Sequence, residues 1–166
     1  MLIIRGNDRP FHLPEHNHHE PLIIASKVRD QVDPVTRQFA RVEVKPLGSL
    51  TSIKPSDWTA TWDEPTALPG WLDEQNEHWL SECVREMVEI IVPNWIANGM
   101  RDGIDLRGTK LTDLGKLTSI GGNFYAPEGL TDLGKLTSIG GGFDAPEGLS
   151  PELLLAFRAI SNRMVR

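Results

Sequence analysis

Residues 111–148 constrain this chain more than any other stretch. Leu111 to Gly129 reads LTDLGKLTSIGGNFYAPEG and Leu130 to Gly148 reads LTDLGKLTSIGGGFDAPEG, two 19-residue copies that differ only at Asn123/Gly142 and Tyr125/Asp144. Tandem identity at a period near 20 residues marks architectures that stack one unit on the next. Each copy carries apolar residues at fixed places: Leu111, Leu114, Leu117, Ile120 and Phe124, then Leu130, Leu133, Leu136, Ile139 and Phe143. Leucines three apart, punctuated by Gly115, Gly121 and Gly122, do not suit a long helix. Ile120-Gly121-Gly122 before Phe124 suits a bend into a short strand, and Ala126-Pro127-Glu128-Gly129 suits a turn. One unit cannot bury its own leucines, whereas stacked units line them up into a continuous core.

The pattern extends backward. Ile104-Asp105-Leu106-Arg107-Gly108-Thr109 reads as an alternating strand and then a turn. The run IDLRGTKLTDL, followed by LTSIGG, resembles the short leucine-rich-like repeats of bacterial and phage proteins. More loosely, it is similar to the L-x-x-I-G-G units of receptor-type leucine-rich domains. The likeness covers residues 100–148 and implies a solenoid of short parallel strands. Against that pattern, the turn at 126–129 reads as one residue longer than the turn at 106–109, which shifts strand alignment by one. The expected fold is α+β: a short leucine-rich-like solenoid of parallel strands capped by amphipathic helices, with an amino-terminal β-rich segment. The expected segments are 1–71, 72–98, 100–148 and 149–166.

Both ends of such a stack need covers. Over 72–98, Leu72, Trp79, Leu80, Cys83, Val84, Met87, Val88, Ile91 and Val92 recur at helical spacing, and Pro93 kinks or ends the helix before Asn98-Gly99. Ser150-Pro151-Glu152 reads as an N-cap, a proline at the first helical position and an acidic first turn. Leu153, Leu154, Phe157 and Ile160 then give the second cover one apolar face.

The amino-terminal part reads as β. Leu2-Ile3-Ile4 is a short apolar strand, and Leu22 to Ala25 and Gln38 to Lys45 form an expected hairpin around a turn at Asp33-Pro34-Val35-Thr36. Leu47 to Ile53 matches Leu114 to Ile120 at six of seven positions, which suggests a degenerate repeat unit. Trp58, Ala60 and Trp62 alternate on one strand face, as a lid over a small core or as a stacking platform for a sugar or base.

Candidate functional residues come from two places. Within the repeats, Phe124 and Phe143 face inward, so their neighbours face out, and the copies differ only there. With the preceding strand added, the candidate binding face is Asp105, Arg107, Asn123, Tyr125, Gly142 and Asp144. Near the amino terminus, His12, His16, His18 and His19 with Glu15 and Glu20 are weak candidates for a metal site. Their spacing does not match a helical His-Glu-x-x-His, and Pro14 and Pro21 are expected to break helix there. Cys83, the single cysteine, lies on the apolar stripe as a core residue and fits a reducing compartment. A net charge of −6 argues against nucleic acid as the main partner, and no apolar run is long enough to span a membrane.

The expectation is a cytoplasmic, non-enzymatic module that binds a protein and needs no cofactor. The resemblance implies a phage or bacterial accessory protein that inhibits or recruits a host protein. The alternative is a metal-dependent enzyme built on the amino-terminal histidines. An exposed strand edge could also pair two chains.

Overall fold

The computed structural model describes residues 2–5, 9–13, 16, 19–29, 33, 35–63, 68–72 and 76–164. Pro14, Glu15, His18 and Pro34, named above, lie outside the described residues. The fold is α+β, with two sheets.

The first sheet is antiparallel, in the order β1 (Leu2–Ile4), β2 (Ala40–Pro46), β3 (Trp58–Trp62). Ala40, Val42 and Pro46 of β2 turn inward while Arg41, Glu43 and Lys45 stay in contact with water, as their alternation predicts. The expected hairpin partner of β2 is absent. Leu22 to Ala25 belongs to a helix, α1 (His19–Ser26), and β2 pairs instead with β1, Leu2 opposite Val42. A four-residue apolar run has no period of its own, and only Leu22 and Ile23 of it are buried, against Ile3 and Phe39. Pro21 does not break this helix, because it sits in the first turn, where an N–H would have no intrahelical partner. The Asp33 turn does form, with Asp33 Oδ1 accepting from the Val35 N–H at 3.0 Å.

The helix expected over 72–98 is a single helical run, packed on β2 and β3. α2 (Asn76–Glu86) passes through a wide turn at Met87–Ile91 into α3 (Val92–Asn98). The wide turn, with the Val92 N–H reaching Met87 O, immediately precedes Pro93. Proline has no N–H to donate and its ring crowds the carbonyl four residues back, so loosening the turn lets the helix continue. Trp79, Cys83, Met87, Val88, Ile91, Val92 and Trp95 are buried along one side.

The repeats form parallel ladders. β4 (Ile104–Asp105) pairs with β6 (Phe124–Tyr125), which pairs with β7 (Ser138–Asp144), and β5 (Ser119–Ile120) also pairs with β7. Asp113 stands beside Asp132, Ser119 beside Ser138 and Phe124 beside Phe143, all at the 19-residue step that also separates Asn123 from Gly142. Ile104 stands beside Phe124, one residue more than that step, yet Thr131 bonds Thr112 at the step of 19. The extra residue therefore lies between Leu106 and Leu111. The turn at 126–129 is shorter by one, the reverse of the expectation.

Leu117 and Leu136 are 0% and 6% exposed and share one core with Leu114, Ile120, Phe143, Met87 and Val42. Glycine is required where units touch: a Cβ on Gly134, whose φ is +58°, would lie 2.1 Å from Gly115 O. The Leu47–Ile53 segment does lie beneath the repeats, but three residues out of the register its sequence suggests. Ser49 bridges Asp113 and Thr51 Oγ1 accepts from the Lys116 N–H at 2.8 Å, so Leu50 takes the place under Leu114 and is buried, while Leu47 and Ile53 are exposed.

The expected carboxy-terminal helix is α4 (Pro151–Ile160), opened by Ser150, whose Oγ accepts from the Leu153 N–H at 3.2 Å. Its Phe157 lies flat on Phe143, with ring centroids 3.8 Å apart. The helix does not run on to the end of the chain, as segment 149–166 had implied. β8 (Ser161–Met164) follows at once and pairs with the open side of β7, whose backbone groups would otherwise lack partners.

Candidate binding face and junction cleft

The β4–β6–β7 register sets Asp105, Tyr125 and Asp144 side by side. Since Ile104, Phe124 and Phe143 are buried, alternation turns these three outward. Arg107, in the turn after β4, lies across them. Its Nε and Nη2 fork onto Asp105 Oδ1 and Oδ2 at 2.9 and 2.5 Å, and its backbone N–H donates to the same Oδ1 at 3.0 Å. Its Cζ stands 4.4 Å from the Tyr125 ring centroid, and Nη1 is 3.9 Å from Asp144 Oδ2. One guanidinium thus spans three rungs through a fork, a cation–π contact and a longer ion pair. The fork holds the Asp105 carboxyl below its ordinary value and pushes the Arg107 guanidinium up.

Asn123 and Gly142 do not join this group. Asn123 Oδ1 accepts from the Gly142 N–H at 2.8 Å, and Gly142 is buried. The expectation that the neighbours of the two phenylalanines face out holds at exposed Asn123 and fails at buried Gly142. An amide side chain at the strand entrance, capable of serving the next unit's backbone, was the available clue.

Next to Arg107 a cavity of about 370 Å³ opens between β2 and the first repeat strand. Leu50, Trp58, Met87, Trp95, Ile104 and Leu106 make its apolar lining; Glu43, Lys45, Asp105 and Arg107 make its charged walls. The sequence pattern puts Asp105 and Arg107 on one face and does not bring them beside Glu43 and Lys45. No local pattern links residues so far apart in the chain.

The described amino-terminal histidines are not brought together. His12 Nδ1 lies 3.1 Å from Glu86, His16 Nδ1 2.6 Å from Asp102, and His19 Nδ1 3.3 Å from Asp63. Each pins the segment to a different element. Among the described residues, no group of three or more His, Cys, Asp or Glu could hold a metal. Burial pushes His12 and His19 below the ordinary histidine value, against the pull of their carboxylates. Burial likewise pushes the Cys83 thiol up to about 12, which leaves it inert at neutral pH. The tryptophans form no platform: Trp58 is buried with Nε1 on Ser52 O at 2.8 Å, Trp62 packs on the core, and Trp71 reaches Arg37 O at 3.2 Å.

No protein-family model, curated protein or solved structure matches this chain. Among the described residues, no helix is long and apolar enough to cross a membrane.

Proposed function

We infer that the chain is a non-enzymatic protein-binding module, in which residues 100–148 act as a short leucine-rich-like solenoid and present the face of Asp105, Arg107, Tyr125 and Asp144. One observation carries the reading: Arg107 is held across three successive rungs, against Asp105, Tyr125 and Asp144. A charged fork over an aromatic ring, fixed by parallel strands, is a rigid surface of the residue types that dominate recognition sites. The parallel ladders, 19 residues apart between the two copies and 20 at the strand before them, and the shared leucine core support the solenoid reading. The described histidines His12, His16 and His19, facing three separate carboxylates, lend the metal-dependent alternative no support.

In this reading the module works in the cytoplasm of a bacterial cell, as a phage or bacterial accessory protein that inhibits or recruits a host protein. Affinity capture from bacterial lysate with the wild type, Arg107→Ala and Tyr125→Ala tests it. A partner held by the wild type and lost from both variants is the expected result. A captured set that both substitutions leave unchanged overturns it.

A further inference from the structure

The repeat strands have an unfinished lower edge. At the corner marked by Asp113 and Asp132, Ser49 supplies the bridge from beneath. At β4 no described strand does so: β4 pairs with β6 on one side and ends the sheet. The N–H groups of Ile104 and Leu106 donate toward β6, to Asn123 O at 2.8 Å and Tyr125 O at 2.9 Å. Backbone groups alternate sides along a strand, so the N–H and C=O of Asp105 point the other way. The junction cleft lies on that side, because Ile104 to Arg107 and Glu43 to Pro46 line it and no residue of β6 does.

An open edge is a template for another strand. A space of about 370 Å³ is within the size range of pockets that bury a ligand. Its floor is apolar, and its charged walls are compensated. Lys45 Nζ lies 2.8 Å from Glu43 Oε2 on one wall, and Arg107 is forked onto Asp105 on the other. Compensated walls over an apolar floor favour a neutral segment over a charged one. The rungs above show what fits over Ile104: first Phe124, then Phe143, both turned inward.

We propose that the open edge of β4 takes an extended, uncharged segment of a partner protein as an additional strand, with an aromatic side chain seated in the cleft between β2 and the first repeat strand. The inference rests on the protein-binding reading above and names the chemistry by which such a partner is gripped.

The test uses the full chain and a synthetic peptide copying its own rung, Gly121 to Pro127, with binding followed by amide NMR. Saturable binding with slowed hydrogen exchange at the Asp105 amide is expected. Asp105→Pro deletes the N–H that faces the cleft, and it weakens the peptide about tenfold more than Asp105→Ala, which removes the same carboxylate and keeps the N–H. Val44→Trp, filling the cleft from the opposite wall, weakens it by a similar factor. No saturable binding up to about millimolar peptide, an unprotected Asp105 amide, or equal affinities for Asp105→Pro and Asp105→Ala overturns the proposal. The two readings fail separately. Lysate capture that persists in Arg107→Ala and Tyr125→Ala sinks the ladder face while the peptide still protects Asp105. An unprotected Asp105 sinks the edge whatever capture shows.

Discussion

Contacts in residues 100–148 recur, and contacts in the amino-terminal part occur once. Thr131 and Thr137 each bond the carbonyl of their counterpart in the copy below, at Thr112 and Thr118. Phe124 and Phe143 lie in the same ladder, and Leu117 and Leu136 in the same core. By contrast, His12, His16 and His19 each tie the first part of the chain to a different carboxylate, on α2, before β4 and after β3. Repetition makes a region easy to read and lets damage in one unit reach the next. Single contacts leave no trace in the sequence and fail one at a time.

The largest effect that would break this contrast is in the aromatic cluster. Phe143 is fully buried against both Phe124 and Phe157, whose own ring centroids are 5.5 Å apart. Phe143→Ala should cost about 3–5 kcal/mol in urea unfolding. A cost below about 1 kcal/mol would mean that the rungs do not share a core.

Next comes the approach of one unit to another. Gly134→Ala adds a Cβ against Gly115 O at a left-handed φ and should cost about 2–3 kcal/mol. Gly129→Ala, where the nearest atom to the new Cβ is Leu111 O at 3.6 Å, should stay within about 0.5 kcal/mol. Equal costs would remove the argument that the copies touch through their backbones.

A smaller effect belongs to α4. Ser150→Ala removes the oxygen that accepts the Leu153 N–H and should lower stability by about 1 kcal/mol, while Ser150→Asp should restore most of it. Unfolding midpoints of the two variants check this.

The smallest effect sharpens the other side of the comparison. His12 and His19 titrate below the ordinary value of 6.5 in the folded chain, so the unfolded segment takes up protons first. Stability held at neutral pH is therefore lost as pH falls through about 6.5 and below. Hydrogen exchange, corrected for its intrinsic rate, should quicken at Leu2–Ile4 and Leu22–Ile23 between about pH 7.5 and about pH 5.5, and not at Phe124 or Phe143. Equal acceleration in both regions would contradict a local clasp.

The same division explains what could be read in advance. The buried leucines, the inward phenylalanines and the Ser150 cap were legible because repetition or a short-range capping rule specifies them. Leu22 to Ala25 was misread as strand because four apolar residues fit either period, and packing on β1 decided the matter. Leu47 to Ile53 was read in the wrong register because matching letters do not say which backbone atoms meet; the Ser49–Asp113 bridge does. Asp105, Arg107, Tyr125 and Asp144 were legible as a face, whereas the cleft beside them was not. It exists only because β2 lies against the first repeat strand, which no local periodicity encodes.

The Asn123 amide on the Gly142 backbone has a consequence for the pair of copies. Their near-identical lettering suggests that the two could be exchanged. Exchange would cost this bond, for the lower copy holds the accepting amide oxygen and the upper one donates its backbone N–H to it. Two residues of composition-neutral difference thus number the storeys of the stack. Swapping Asn and Gly between them would leave every leucine in place and still misaddress the building.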